Sequence, residues 1–364
     1  MIENLPLIYG VFFILAFVFS LIINRFLLKF AKTLGIRNTS ETIIRWSATS
    51  KPSLGGISFY IIFLFSIILI SFLVPGDSDF FIVKSLGILA AVTIGFLLGL
   101  FDDAYNTMPL IKFFTQVGCG IILIITGTYI DIFSSQTLNY SITLFWVVGI
   151  MNSINMLDNM DGISSIVSFF ILGAILVGML LRNDFANPFI VIVIGGMAAL
   201  AGFLFYNWNP SRMYMGDTGS MFLGVLLAAI GINCLWNGKG ITGEAPAIMR
   251  FFAVVTIFAL PIIDTTTVSI KRIARGSSPF VGGKDHTTHH LSYLGLTDRQ
   301  VGWVYVFISL ISLVLTVILT NYIHSWKIWH NFLYGGYFLV LFAVLFMIAN
   351  MNKEKENDVK HHTS

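Results

Sequence analysis

Apolar residues run along this chain in stretches free of Asp, Glu, Lys and Arg: 4–24, 52–76, 85–101, 113–130, 132–157, 162–181, 185–211, 218–238, 300–326 and 328–352. A helix rises about 1.5 Å per residue, so about 20 apolar residues cross the hydrocarbon of a bilayer. Each stretch therefore predicts one transmembrane helix. An eleventh, 251–263, extends to about 270 if Asp264 is tolerated within it. Polar positions gather in the loops between runs, and no Gly/Pro-rich linker, low-complexity tract or soluble domain interrupts the pattern. The expectation is an all-α polytopic membrane protein of about eleven transmembrane helices. Residues 1–351 form a single integral membrane domain, and 352–364 a flexible tail.

Composition agrees: 56% of residues are hydrophobic and only 11% charged, about half the usual share of a soluble domain. The net charge of +3 says little, but its distribution says more. With eleven spans the loops alternate sides. One set (25–53, 102–112, 153–161, 207–217, 271–299 and the tail) holds sixteen of the twenty-one Lys and Arg residues. The other set holds only Lys84, Arg182, Lys239, Arg250 and Lys327. The positive-inside rule makes the first set cytoplasmic, with the N-terminus outside and the C-terminus inside. Glu3 stands where a signal peptide would be basic, so the first run reads as an uncleaved span. Cys119 and Cys234 fall inside spans and suggest neither a disulfide framework nor a metal site.

The unusual polar residues fall on the cytoplasmic side. Asp102 and Asp103 end the third run. The segment MNSINMLDNMDGISS (151–165) places Asn152, Asn155, Asp158, Asn159 and Asp161 between two spans. NWNPSRMYMGDTGSM (207–221) carries Arg212 and Asp217. The largest loop, 270–299, brings Lys271, Arg272, Arg275, Lys284, Asp285, His286, His289 and His290, and the first loop ends TSKPSLGGIS with Lys51. Each signal alone has a plainer reading. An Asp pair can be a solvated border. Asn152, Asn155 and Asp158 share a helix face by spacing, yet an Asx cluster can also cap the next helix, with Asp161 before Gly162 the expected cap. MGDTGS reads as a turn with Asp217 opening a span, and HTTHH as a solvated loop. Their joint occurrence on one face argues for a site.

Carboxylates and amides beside a membrane suit a hard divalent cation, because Mg²⁺ is usually held by one or two protein oxygens plus substrate phosphates. Nearby Lys and Arg suit phosphate oxygens, and small Gly-rich turns let backbone N–H groups approach an anion. Together they suggest phosphoryl chemistry on a partly lipidic substrate. Zinc-type Cys/His spacing and a GxxxxGK[ST] phosphate loop are both missing from the sequence.

Six stretches, KPSLGG (51–56), GLFDD (99–103), the NxxNxxDxxDG segment (152–162), NPSRMYMGDTGS (209–220), LPIIDT (260–265) and RGSSPF…DHTTHH (275–290), carry a resemblance. In this order the chain resembles the polyprenyl-phosphate N-acetylhexosamine-1-phosphate transferases. That superfamily includes phospho-MurNAc-pentapeptide translocase and the WecA/TagO branch, to which this chain is the more similar. The resemblance implies transfer of an N-acetylhexosamine-1-phosphate, GlcNAc-1-phosphate by default, from a UDP-sugar to undecaprenyl phosphate, with release of UMP. Such a step starts cell-envelope glycan synthesis in the bacterial inner membrane.

It further implies Mg²⁺, with Mn²⁺ as a substitute, held by Asp217 and Asn155. Asp102 and Asp103 lie beside the metal, with Asp102 the residue expected to orient or deprotonate the lipid phosphate. Asp158 joins these as catalytic, and Asp161 orders the nucleotide side while Tyr214 stacks on uracil. Lys51, Asn152, Arg212, Arg272, Arg275, His286, His289 and His290 are implied as substrate contacts. A homodimer is in keeping with the superfamily, and no nucleic-acid partner is expected.

The sequence departs from the family's usual histidine loop. Many members read HIHH or HHH, whereas Thr287 stands here where the first histidine aligns and His286 lies one place earlier. That leaves open which histidine meets phosphate. Asp264 matches the family, or simply pairs with Arg272 or Lys271. The alternative from another class is a cation- or proton-coupled transporter, which needs carboxylates through mid-bilayer rather than at one interface. The CDP-alcohol type of phosphotransferase needs an AR after DG that this chain lacks at Ile163–Ile166, and an intramembrane aspartyl protease needs a YD pair, also missing.

Overall fold

A computed structural model of the chain describes residues 4–34, 51–73, 79–240, 243–279 and 283–351. The tail 352–364 and most of the first loop lie outside the described residues. The described chain is mainly helical, with one short antiparallel pair, Lys239–Gly240 with Gly243–Glu244, and an isolated parallel bridge between Ser53 and Tyr214. In order the helices are α1 (Leu5–Leu34), α2 (Gly55–Leu73), α3 (Asp79–Tyr105), α4 (Pro109–Ile125), α5 (Gln136–Leu157), α6 (Ile163–Leu181) and α7 (Phe189–Asn207). They continue as α8 (Gly216–Gly231), α9 (Ala247–Ile257), α10 (Ala259–Ala274), α11 (Thr287–Tyr293), α12 (Asp298–Tyr322) and α13 (Ile328–Met351). A π-helical turn, Ile232–Trp236, prolongs α8.

Every apolar run of the sequence falls on one of these helices. Among the described residues, nine helices are long and apolar enough to cross a membrane; α4 is a shorter apolar helix. The run from 251 to 270 is not the single straight span expected. It is the pair α9 and α10, bent by 74° at Phe258. Pro261 gives the physical reason: it has no N–H to donate to the carbonyl of Ile257, and its ring would clash there, so the helix restarts in a new direction.

The middle of the bundle is α8. Every residue from Thr218 to Gly231 is buried, and the helix packs against α2, α3 and α5. Lipid tails are as apolar as leucine, so close packing rather than water exclusion must hold such a helix. Its glycines supply that fit. A Cβ on Gly224 would lie 2.6 Å from the Met151 Cα, and one on Gly56 of α2 would overlap the backbone of Gly219. Phe222 then fills the space among Phe59, Tyr60 and Phe63 of α2, with ring centroids 5.7–6.3 Å apart. This core fixes where the first turn of α8, and Asp217 on it, can sit.

Candidate active site

One large cavity, ≈ 1420 Å³, opens among helix ends. Its walls come from the starts of α2, α4, α8 and α12, the ends of α3, α5, α7 and α10, and the segments 158–161 and 283–289. Since consecutive helices alternate direction, these ends all lie at one end of the bundle.

The carboxylates are placed by a close approach of α3 to α8. Gly99 touches the first turn of α8 so closely that a Cβ there would overlap the Asp217 carbonyl, and this brings the Asp102–Asp103 pair alongside. The two aspartates then part company. Asp103 accepts the backbone N–H groups of Asp217 (3.0 Å) and Thr218 (2.9 Å) and the Thr218 hydroxyl (2.6 Å). It therefore caps α8 from a neighbouring helix, where the helix's own N-cap, Met215, offers no side-chain bond. Gly216 admits this carboxylate: its φ is +74°, and a Cβ would lie 2.6 Å from Asp103 Oδ2.

Asp102 turns the other way and is 5% exposed. Its Oδ1 accepts the Thr107 N–H and hydroxyl, both at 2.8 Å, and its Oδ2 pairs with Lys112. The Asp102 and Asp217 carboxylates lie close enough for their charges to interact. The Asn155 amide donates to Asp217 Oδ1 (2.6 Å) and to the Ser220 hydroxyl (2.9 Å). Asp102, Asp103 and Asp217 thus lie near one another with Lys112 paired to Asp102, an excess of negative charge that a cation would relieve.

No three His, Cys, Asp or Glu side chains converge on a metal position among the described residues. Two carboxylates with an amide oxygen are nevertheless the kind of donor set that suits Mg²⁺, which leaves its other positions to water and phosphate oxygens. The donor chemistry fits a hard divalent cation.

Beside this cluster the first and fourth motifs are joined by backbone. Gly55 N–H donates to Tyr214 O (3.2 Å), Gly56 N–H to Met215 O (3.1 Å) and Tyr214 N–H to Pro52 O (2.9 Å). Lys51 reaches across, 2.9 Å from the Ser211 hydroxyl, 3.6 Å from Asp161 Oδ2 and 5.1 Å from the centre of the Tyr214 ring. Asp161 accepts from Ser211 N–H (2.9 Å), the Ser211 hydroxyl (2.7 Å) and Asn209 Nδ2 (3.1 Å). It does not cap α6; the N-cap is Gly162 at φ +79°, and the Asp161 oxygens hold the 209–211 turn instead.

The histidine segment forms another stretch of wall. Arg272 forks onto Asp285 (Nε–Oδ2 2.9 Å, Nη2–Oδ1 2.6 Å) and donates Nη1 to the Pro279 carbonyl at 2.8 Å. Burial raises the Asp285 carboxyl, but the Arg272 fork outweighs it and holds the group at about 2. His289 is pushed down to about 3 by burial and by neighbouring His286, so its ring is neutral near pH 7. The Thr288 hydroxyl donates to Asn159 Oδ1 at 2.5 Å, tying this loop to the end of α5.

Comparison with known proteins now decides the family. The profile described as "Glycosyl transferase family 4" matches residues 85–235, which hold Asp102, Asp103, Asn155, Asp158, Asp161 and Asp217. The chain is 30% identical over 272 residues to a probable undecaprenyl-phosphate N-acetylglucosaminyl 1-phosphate transferase of Bacillus subtilis (strain 168), covering 71% of each chain. The chain belongs to the polyprenyl-phosphate N-acetylhexosamine-1-phosphate transferases. The family likeness extends further along the chain in other relatives. An undecaprenyl-phosphate alpha-N-acetylglucosaminyl 1-phosphate transferase of Escherichia coli O157:H7 is 27% identical over 91% of this chain and 87% of its own. A decaprenyl-phosphate N-acetylglucosaminephosphotransferase of Mycobacterium leprae (strain TN) is 29% identical over 72% of each.

In this transferase the cavity gathers Lys51, Asp102, Asp103, Asn152, Asn155, Asp158, Asp161, Tyr214, Asp217, Arg272, His286 and His289 of the residues named from sequence. Arg212, Arg275 and His290 are not on its wall. The Arg212 guanidinium lies 5.7 Å from the Phe205 ring on an exposed surface, Arg275 is exposed at the end of α10, and His290 is buried 2.7 Å from Lys271 Nζ. Asp158 does not share the helix face of Asn152 and Asn155, because α5 ends at Leu157 and Asp158 is its C-cap.

Asn152 faces the cavity, yet its amide is paired with that of Gln116 (2.8 and 3.3 Å), bridging α5 to α4. Lys112 and Gln116 are wall residues that sequence reasoning missed, and it missed Thr107 and Ser211 too, which hold the carboxylates of Asp102 and Asp161. Lys112 was legible in principle: it sits one helical turn before Gln116, on the same face of α4.

Proposed function

We propose that this transferase moves GlcNAc-1-phosphate from UDP-GlcNAc to undecaprenyl phosphate in the bacterial inner membrane. An oxygen of the acceptor phosphate forms a bond to the β-phosphorus of the nucleotide sugar. The bond from that phosphorus to the bridging oxygen breaks, and UMP leaves with the electron pair. The observation that carries this reading is the Asp102–Lys112–Asp217–Asn155 cluster at the helix ends, within one cavity of ≈ 1420 Å³. The sugar and the lipid follow the relatives' names.

Exposed apolar residues flank the cluster: Phe101, Tyr105, Met108, Leu110 and Ile111. A prenyl chain can stay in hydrocarbon there while its phosphate meets Lys112 at headgroup level. Lys112 supplies positive charge to that phosphate, and Asp102 holds Lys112 in place. A prenyl monophosphate already carries most of its charge near pH 7, its second pKa being about 6, so a strong base is not required.

Asn155, itself held by the Ser220 hydroxyl, fixes the rotamer of Asp217, and Asp103 fixes the helix turn that bears it. Asp217, Asn155 and Asp102 are the residues that would hold Mg²⁺, with Mn²⁺ as substitute, and the ion would supply charge neutralisation of the diphosphate. Lys51, Asp161 and Tyr214 form the nucleotide end, with the Tyr214 ring as the stacking surface.

The cavity end is taken as cytoplasmic, with eleven spans, the N-terminus outside and the C-terminus inside, on the strength of the Lys/Arg asymmetry of the loops. The transporter reading loses its main support because the cavity carboxylates gather at one end of the bundle. UMP release by detergent-purified protein tests the proposal, using a panel of UDP-sugars, undecaprenyl phosphate and Mg²⁺. Release that requires both lipid and metal is expected, and EDTA should abolish it. Release without lipid, or none from folded protein with any UDP-sugar, overturns it.

A further inference from the structure

The far end of the bundle holds a second, much smaller cavity. α6 follows Asp161 and α12 begins at Asp298, both on the wall of the large cavity, so the last residues of these two helices lie at the opposite end. There a cavity of ≈ 20 Å³ opens between α6, α9, α12 and the π-helical turn, and Arg182, Lys239 and Arg250 all stand on its wall. Among the described residues no Asp or Glu joins them. The loops of this side carry only five Lys and Arg residues, and three of the five meet at this one place. Like charges gathered without a counter-charge repel, the more so where water is partly excluded.

Among the described residues no carboxylate bonds either arginine. Arg182 follows the last residue of α6 and donates Nη1 to Asn321 Oδ1 on α12 at 3.1 Å. Its head lies over Gly178, where a Cβ would come within 3.4 Å of Nη1, so the glycine leaves room for it. Asp184, the acid that acts on Arg182 electrostatically, is off the wall, and its Oδ2 accepts Asn187 Nδ2 at 2.9 Å. Arg250, on the first turn of α9, reaches the Asp131 carbonyl at a long 3.4 Å, and its Nε is buried with no hydrogen-bond partner. A buried donor on a charged group costs more to leave unmade than a neutral one. Lys239 is exposed and stands opposite Glu244 in the short antiparallel pair, so the two arginines carry the unbalanced charge.

We propose that this cavity binds the phosphate of an anionic phospholipid, with Arg182 and Arg250 as its ligands. A cavity of this size admits one water-sized atom, so a single phosphoryl oxygen enters and the rest of the headgroup stays at the surface. Exposed apolar residues stand close by on each of the three helices, Leu181, Ile248 and Tyr322, and give the acyl chains a surface that a free anion would not use. Basic pockets between membrane helices are where anionic headgroups settle. The lipid is bound and not consumed, and no bond forms or breaks. On the orientation given above it comes from the outer leaflet.

Native mass spectrometry of the detergent-purified protein tests this, with phosphatidylglycerol, phosphatidylcholine and inorganic phosphate titrated separately. One phosphatidylglycerol should bind saturably, and more tightly than phosphatidylcholine, whose choline cation the arginines repel. Arg182→Gln and Arg250→Gln should each weaken that binding about ten- to hundredfold, the scale of a lost hydrogen bond to a charged group. Lys327→Gln removes an exposed charge from the same end but away from the cavity, and should bind as wild type. Ala245→Asp sets a carboxylate on the wall, outside any helix and without altering either arginine. It should weaken binding as far, and it decides if an arginine variant does not fold.

Equal affinity for the two lipids overturns the proposal, as does undiminished binding in both arginine variants or in Ala245→Asp. A loss in Lys327→Gln as large as in the arginine variants overturns it too, since the lipid would then be reading general surface charge. Inorganic phosphate that binds as tightly as phosphatidylglycerol, and is lost in the same variants, would mark a site for a free anion and overturn the lipid assignment.

Discussion

Asp103 accepts the backbone N–H groups of Asp217 and Thr218 at 3.0 and 2.9 Å, so one member of the aspartate pair caps the helix that carries the third carboxylate of the site. Asp102, its neighbour in sequence, pairs with Lys112 instead. Two adjacent and identical side chains therefore have separable effects.

Asp103→Ala should lower thermal stability by about 1 kcal/mol through loss of the cap, and lower turnover with it, because Asp217 rides on the loosened turn. Asp103→Asn keeps one oxygen acceptor and should lose less. Melting of the purified protein in detergent, measured alongside UMP release, checks both. An Asp103→Ala variant that melts as wild type would remove the capping role.

Asp102→Asn and Asp217→Ala should each abolish turnover, by about 10³-fold or more, while the protein stays inserted and folded. Each removes a charge from a crowded cluster, so stability should hold or rise as activity disappears. Full activity in either variant would exclude that residue from the chemistry.

Lys112→Ala should raise KM for the lipid phosphate about ten- to hundredfold, the scale of a lost hydrogen bond to a charged group, with a smaller effect on KM for the UDP-sugar. Lys112→Arg keeps the charge and should recover part of the loss. Equal changes in both KM values would detach Lys112 from the acceptor.

Stability should rise with pH in acid. His289 titrates at about 3 in the fold against 6.5 for the free side chain, so the unfolded chain takes the proton first and stability climbs from about pH 3 to about 6.5. Asp285, held at about 2 against 3.8, adds stability that is complete above about pH 4 and fades as pH falls toward 2. His289→Gln should flatten the upper window and leave the lower one. Melting curves at stepped pH would show it, and an unchanged slope in the variant would exclude His289 as the group responsible.

The spans were legible because hydropathy needs only composition, and every apolar run falls on a helix. The division of labour within Asp102–Asp103 was not legible, since adjacency suggests a shared role. Successive residues on a helix point about 100° apart, so neighbours face different partners, and which partners depends on α4 and α8 arriving from elsewhere in the chain. The spacing of Asn152, Asn155 and Asp158 misled for a related reason: it predicts a common face only while the helix lasts, and α5 stops at Leu157. Asp161 beside Gly162 looks like a cap from local sequence alone, but the 209–211 turn, nearly fifty residues on, supplies better donors. The bend at Phe258 did have a local sign in Pro261, which a count of apolar residues passes over.

The enclosure of α8 sets a reference depth for the chemistry. From Thr218 to Gly231 this helix touches protein on all sides, so the position of Asp217 along the membrane normal is set by the bundle and not by the surrounding lipid. The acceptor phosphate has no such anchor and rides with the headgroups. In bilayers of different thickness the protein half of the reacting pair stays put while the lipid half moves, so hydrophobic mismatch would reach the reaction through its substrate.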